Sequence, residues 1–248
     1  MLPIYLPHRA CLSLSLKDSA KPDVMFAFLE KIITADTQPL IQRQPIYSAL
    51  LTPNGKYIAD FFMIACDGEW LIETDDHLAT NLMAQLQKYI LRQPIIIKPN
   101  DKKTYITFFE PDDDVFFMRD PRLYNHDDKI CYRIYGDLKQ YEKNQTAYHQ
   151  WRIDHLLPEG LMDFTINDSL IIEYHFHNIG GLSLQKGCFI GQEVTARMFY
   201  KNAAGQKLKK HLIKKIIDEN NPAHSNDKIL SSIMINHQTH ALVLEKTL

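Results

Sequence analysis

Glycine is in short supply in this chain, with 9 residues in 248, where average usage near 7% gives about 17. A cluster of glycines therefore marks a place that needs backbone freedom. Cysteine is sparse and scattered: Cys11, Cys66, Cys131 and Cys188 stand more than 50 residues apart, with no CxxC. That spacing excludes a zinc knuckle and a disulfide-stapled secreted domain, and it points to a reducing compartment, for which the cytoplasm is the expectation. No segment reaches the ~18 apolar residues of a membrane span. The N-terminal MLPIYLPHRACLSLSLKDS lacks the charged start, apolar run and small-residue cleavage site of a signal peptide, so no membrane association is expected. Excess charge is missing too. With 28 Lys+Arg against 30 Asp+Glu, the formal net charge of -2 supplies no field toward nucleic acid, and no direct nucleic-acid contact is expected. Walker-type loops, HExxH and GxSxG are absent, which removes the usual NTPase, zincin and serine-hydrolase readings.

What is present is an ordinary globular composition, 45% hydrophobic and 23% charged, long enough to bury a sizeable core. Residues 22–34 place Val24, Phe28 and Ile32 at helical spacing. Ile46–Leu51 and Tyr57–Ala65 read as strands joined by TPNG, because Asn-Gly between apolar runs favours a hairpin. Asp67-Gly68 turns the chain into a strand at Trp70–Glu73. A helix follows at about 76–91, with Leu78, Leu82, Leu86 and Ile90 on one face, then strands at 94–98, 104–109 and 129–135. The spacing of Leu138, Tyr141, Tyr148 and Trp151 predicts a helix over 137–153 capped by Asp137. The acidic triplet Asp112-Asp113-Asp114 reads as an exposed loop. After residue 205, three β-leaning stretches carry a lysine-rich run (Lys207, Lys209, Lys210, Lys214, Lys215), read as a solvated strand face. Hairpins mixed with single helices, without βαβ alternation, make the chain α+β. Two units are expected: a body over 1–204, formed of two intertwined subdomains, and a small β module over 205–248.

The scarce glycines gather in NIGGLSLQKGCFIGQEVTARMFYK, residues 178–201, as Gly180, Gly181, Gly187 and Gly191. Gly187 and Gly191 bracket Cys188, and GQEVTARMFY reads as a helix opening with Glu193 and Arg197 at i, i+4. Cys188 then precedes a helix N-terminus, where the dipole favours a thiolate, and Lys186, two residues earlier, adds positive charge. The opposing reading is a small buried hydrophobe, the ordinary fate of a free cysteine.

The string KGCFIGQEVTAR resembles the K-G-C-[YF]-x-G-Q-E signature of the YgfZ family, at Lys186, Gly187, Cys188, Phe189, Gly191, Gln192, Glu193 and Arg197. FLEKIITAD, YSALLTPNGKYIADFFM, DPRL and WRID are similar to other segments of that family, so the resemblance spans roughly residues 5–201. It implies a fold like the glycine cleavage T-protein: an α+β body around a central folate-binding hollow, with a small C-terminal β-barrel-like module. It also implies a tetrahydrofolate-dependent accessory role in iron–sulfur cluster assembly or repair, serving iron–sulfur enzymes such as those that methylthiolate tRNA. The partners implied are folate and iron–sulfur assembly proteins or client enzymes, with Cys188 as a reactive thiol or a transient cluster contact, assisted by Lys186. Folate contacts are expected from Asp60, Arg152, Tyr57, Gln192 and Glu193. Gly187, Gly191 and Arg197 are expected to shape the motif. The chain departs from its aminomethyltransferase relatives at Ala59-Asp60, where those carry adjacent aspartates, and from the family's own pattern at Ala35 in Thr34-Ala35-Asp36, where an Asn is usual, and at Leu156, where a Gly is usual. Two other readings stand beside this one: a tetrahydrofolate-dependent one-carbon transferase, and a non-catalytic binding module. The sequence leaves open whether the protein is an enzyme and does not address its oligomeric state.

His175 and His177 in IEYHFHN would share one face of a strand, as paired metal ligands do, but no third ligand follows at recognisable spacing, so no resident metal is expected. His149 and His155 flank Trp151-Arg152. Arg152 is the better anion ligand, because a guanidinium forks onto a carboxylate. Phe61, Phe62, Tyr57 and Trp70 are aromatics available to a flat heterocycle.

Overall fold

The computed structural model describes residues 2–17, 20–66, 68–112, 114–123, 130–203, 210–217 and 227–246. Asp67, Asp113, Lys129, Lys207, Lys209 and the unit boundary expected at 204–205 lie outside the described residues. Twelve strands and six α-helices are described. A five-stranded antiparallel sheet has the order β3(Ile46–Leu51), β4(Tyr57–Cys66), β5(Glu69–Asp75), β2(Arg9–Leu16), β6(Ile95–Asn100). A second, antiparallel sheet orders β1(Ile4–Tyr5), β7(Lys103–Thr107), β9(Tyr132–Gly136), β8(Phe116–Arg119). A third orders β10(Lys210–Ile217), β12(Gln238–Lys246), β11(Lys228–Ile235).

The hairpin signal is realised. Gly55 has φ +73, the left-handed conformation that the TPNG turn needs. From that turn Ala49 pairs with Asp60 and Tyr47 with Phe62, so Tyr47 and Asp60 lie on one face of the sheet. The helices α1(Pro22–Ile32) and α3(Asp76–Ile90) match the apolar spacing: α1 has Pro22 at its first turn, and the Asp75 side chain caps α3 by accepting from His77 N at 3.0 Å. α2(Gln38–Ile41) is a single turn.

The fourth helix is shorter than its apolar spacing suggests. α4 runs Thr146–Asp154, and its start is organised by Asn144, whose Oδ1 accepts from Thr146 N at 2.9 Å. Asp137, the expected cap, instead accepts from Lys103 Nζ at 2.7 Å. Residues before the helix are spent on the N-terminal strand: Tyr5 N donates to Glu142 O and Glu142 N to Pro3 O. Tyr141 packs against Tyr5 and Tyr105, so its spacing reflects an aromatic cluster and not a helical face.

The N-terminal segment, which carried no element in the sequence reading, supplies β1 and the interior strand β2. Both faces of β2 are largely covered, which hides the alternation of a half-buried strand. The C-terminal strands form an antiparallel sheet whose Leu212, Leu242 and Leu244 join the same hydrophobic cluster as the body. Two of its lysines are paired: Lys214 with Asp154, and Lys215 with Asp227 and Glu245.

Candidate functional site

The two larger sheets meet across a lattice of buried charge. Glu73 on β5 accepts from Arg9 Nε (2.7 Å), Arg133 Nε (2.8 Å) and Tyr135 Oη (2.8 Å). Asp120 accepts from Arg122 Nη2 (2.8 Å) and Arg133 Nη1 (3.1 Å). Glu159 accepts from Tyr148 Oη at 2.6 Å and pairs with Arg122 at 2.9 Å. The guanidinium carbons of Arg133, Arg122 and Arg9 lie 3.8, 4.8 and 5.6 Å from the centre of the Phe62 ring, a favourable cation–π stack. Burial alone would raise the acid pKa values. The surrounding arginines override it and hold Glu73 below, and Glu159 well below, the ordinary range.

Asp60 sits at the edge of this lattice on β4, fully buried. It accepts from Tyr57 Oη (2.6 Å), Tyr47 Oη (2.8 Å) and Gly160 N (3.1 Å). Burial pushes its carboxyl above the ordinary value, against the pull of Arg9 and the tyrosine hydroxyls, and burial beside Asp60 pushes both phenols well up. Tyr57 stacks on Phe164 with ring centres 4.5 Å apart. Arg152 is equally enclosed, donating to Leu157 O (2.8 Å), Asp163 Oδ2 (2.8 Å) and Ser231 Oγ (2.9 Å). Asp60, Tyr57 and Arg152 are thus brought to one region, but each is committed to protein partners. Phe61 and Phe62 are core, and Trp70 packs edge-on against Phe26.

An open cavity of about 620 Å³ lies beside this cluster. Tyr47 joins the two, lining the cavity while its hydroxyl holds Asp60. One wall carries Asp36 and Pro39, and a second, adjoining wall carries Leu182, Leu184, Phe199 and Tyr200. Asp36 lies in FLEKIITAD and Leu182, Leu184, Phe199 and Tyr200 in the string 178–201, but none of them was expected as a folate contact. Tyr47 was accessible in principle, because hairpin pairing from Asn54-Gly55 places it on the face of Asp60.

The motif loop begins where the lining stretch Leu182, Ser183, Leu184 and Gln185 ends. Gly191 has φ +83, and a Cβ there would come 2.7 Å from Thr52 O and 3.0 Å from Gly55 Cα. The glycine therefore seats α6(Gln192–Ala203) against the hairpin turn. Gly187 differs: the nearest atom to its Cβ would be Glu30 Oε1 at 3.7 Å, an ordinary contact. Cys188 is exposed, whereas Cys11, Cys66 and Cys131 are buried. Lys186, expected to charge the thiol's surroundings, directs its ammonium elsewhere: to Ile33 O (2.9 Å), Ala35 O (2.8 Å) and the Glu30 carboxylate (3.6 Å). Gln192 is half-buried, and Glu193 and Arg197 are exposed on α6.

His175 and His177 do not lie on a strand. Residues Ile171–Tyr174 form a 3₁₀ turn, and His175 ends it at φ 57. Burial lowers the pKa of both imidazoles. Among the described residues no group of three or more His, Cys, Asp or Glu converges to hold a metal. No described helix is long and apolar enough to cross a membrane.

The residues fit a folate in part. The cavity has the size and mostly apolar lining of a ligand site, with Phe199 and Tyr200 for a flat ring and the Asp36 carboxylate for a donor-rich edge. Among the described residues the glutamate tail finds no arginine or lysine in that lining, and both Nη groups of Arg152 are already engaged.

Layered sheets of this order, with a third sheet on α4, define a protein of the T-protein fold. The glycine cleavage system aminomethyltransferase T of Bartonella henselae superposes with a TM-score of 0.71 over 98% of this chain and 78% of that one, at 12% identity. By sequence the chain is 26% identical over 235 residues to the mitochondrial iron-sulfur cluster assembly factor IBA57 homolog of Mycosarcoma maydis, covering 82% of this chain and 55% of that protein. It is 29% identical over 219 residues to the homolog of Phaeosphaeria nodorum, covering 77% and 50%, and 25% identical over 186 residues to IBA57 of Mus musculus, covering 68% and 50%. The chain spans about half the length of these relatives. No model of a known protein family matches it. The homologues bear out the resemblance to the YgfZ family, of which IBA57 is the mitochondrial counterpart. They overturn the cytoplasmic expectation, since these relatives are named as mitochondrial proteins. The scattered cysteines argue only against oxidising compartments and do not choose among reducing ones.

Proposed function

We propose that this chain is an accessory factor of iron–sulfur cluster assembly or repair that takes a reduced folate into the cavity beside Tyr47 and presents Cys188 to a cluster or to a cluster-bearing partner. The observation that carries this reading is the placement of Tyr47, which borders the cavity and whose hydroxyl holds Asp60, in a chain whose relatives are named assembly factors. Leu184, Phe199 and Tyr200 would flank the ring system and Asp36 its polar edge. Bound tetrahydrofolate supplies a nitrogen pair able to carry a one-carbon unit. The partners are assembly proteins or client enzymes, among them enzymes that methylthiolate tRNA. The closed environment of Asp60 argues against the transferase reading, because a general acid or base must reach the atom it serves.

Two measurements test this. Calorimetric titration with tetrahydrofolate is expected to show saturable binding that Leu184→Trp, which fills the cavity, abolishes; no binding to the wild-type protein would overturn the folate reading. In cells lacking the endogenous factor, Cys188→Ala is expected to fail to restore iron–sulfur enzyme activity. A fully active variant removes the thiol from the function.

A further inference from the structure

Lys186 was expected to act on Cys188, yet its side chain is only 1% exposed and is turned away onto the end of α1. The two carbonyls that it binds, Ile33 O and Ala35 O, belong to the segment leading into Asp36 and Pro39, one wall of the cavity. Lys186 itself follows Ser183, Leu184 and Gln185, which belong to the other wall. One ammonium therefore ties the two walls together, two residues from the exposed thiol.

The neighbouring bonds run in the same direction. Thr34 Oγ1 donates to Gly181 O at 2.6 Å, and Ser183 N donates to Thr34 O at 2.9 Å. Gly187 N donates to Glu30 Oε1 at 3.2 Å, Thr37 Oγ1 donates to Glu30 Oε2 at 2.7 Å, and Ile190 N donates to Lys31 O at 3.2 Å. Glu30 thus grips the motif loop with one oxygen and the cavity wall with the other, and it is the carboxylate paired with Lys186. A buried ammonium held by two carbonyls and a half-exposed carboxylate is a directional fastening, because removing it leaves both carbonyls without their donor.

We propose that Lys186 is a positioning residue, which with Glu30 latches the two walls of the cavity together and so links what fills the cavity to how Cys188 is presented. A flat ligand held against Asp36 and Leu184 touches both of the segments that Lys186 joins, so its binding bears on the bonds of Lys186. The inference rests on the proposed function only for the identity of that ligand; the latch is a property of the chain.

Two readouts test it. The first is hydrogen exchange of peptides covering 30–37 and 181–190. Lys186→Met is expected to raise exchange about tenfold in both segments together, with Lys186→Arg restoring protection and Glu30→Gln, at a part-exposed site that leaves the fold intact, giving a smaller joint rise. A rise in only one segment, or in neither, overturns the latch. The second is the rate at which an anionic aromatic disulfide modifies Cys188, which reads one thiol because the other three are buried. Saturating tetrahydrofolate is expected to change that rate about fivefold in the wild-type protein and in Lys186→Arg, and to leave Lys186→Met unchanged. Equal coupling in Lys186→Met, or a bound folate with no effect on the wild-type rate, overturns the link to Cys188. If calorimetry shows no folate binding, the reading of the cavity fails, and the exchange data alone decide the positioning role.

Discussion

Two polar regions lie side by side in this molecule and use their charge in opposite ways. In the lattice of Arg9, Glu73, Asp120, Arg122, Arg133 and Glu159, every charged group faces another that is equally buried. Around the cavity and the motif loop, Asp36, Cys188, Glu193 and Arg197 keep an exposed face. Charge paired within the protein ties two sheets together, and charge left open is available to a visitor. The conspicuous arginines are therefore scaffold, and chemistry is to be sought at the modest cavity next door. Tyr47 belongs to both regions, which is how the scaffold can hold the site.

The largest test of that contrast is to break the closed lattice. Arg133→Met removes the cation shared by Glu73 and Asp120 and leaves two buried carboxylates short of a partner. Breaking a buried pair from one side costs about 3–5 kcal/mol, so urea denaturation should show a loss in that range, or no folded protein. A loss below about 1 kcal/mol, the worth of an exposed pair, would mean that the lattice is hydrated and not closed.

Within the motif a smaller effect separates two glycines that look alike in sequence. Gly191→Ala forces a side chain into the left-handed region and against Thr52 O, and such strain costs about 1–3 kcal/mol. Gly187→Ala meets only ordinary contacts and should change stability by no more than about 0.5 kcal/mol. Thermal melts of the two variants are expected to differ accordingly. Equal melts would show that the hairpin turn does not dock on α6 as described.

The legibility of the molecule follows the same division. Local signals were readable: the Asn-Gly hairpin, the leucine spacing of α3, and the glycine cluster that seats α6. Elements set by remote partners were not. β2 is covered on both faces and shows no clean alternation, and the stretch before α4 is held extended by Pro3 and Tyr5. The family resemblance led to Cys188 and Asp60, yet the position of Lys186 depends on carbonyls about 150 residues earlier in the chain, and no spacing rule reports such a contact. The cavity is the extreme case, since its walls are brought together from segments 36–47 and 177–200 and from Pro121.

Mild acid should act through a histidine at the margin of the closed region before it reaches the lattice carboxylates. His149 stacks on His8 and lies near Arg152; burial, helped by the Arg152 charge, lowers its pKa to about 4. The folded protein therefore refuses a proton that the unfolded chain accepts, and stability rises with pH across the window between the two values. It should be complete above about pH 6.5, the ordinary histidine value, and fall progressively toward about 4. Glu73 and Glu159, held below the ordinary range, add their own loss only at lower pH. Urea midpoints measured from pH 7 to 4 should decline, and His149→Gln should flatten the decline. An unchanged slope in that variant would place the acid-sensitive proton on another group.

Cys188→Ala should have the smallest effect on stability and the most informative one. The thiol is exposed on a loop whose backbone is fastened by its neighbours, through Lys186, Gly187 and Ile190. Removing an exposed side chain away from such fastenings changes stability by no more than about 0.5 kcal/mol. A melt that matches the wild type then licenses a functional interpretation of whatever the variant fails to do in cells. A larger drop would mean that Cys188 belongs with the lattice, as structure, and the contrast between closed and open charge would have to be redrawn with the motif loop on the closed side.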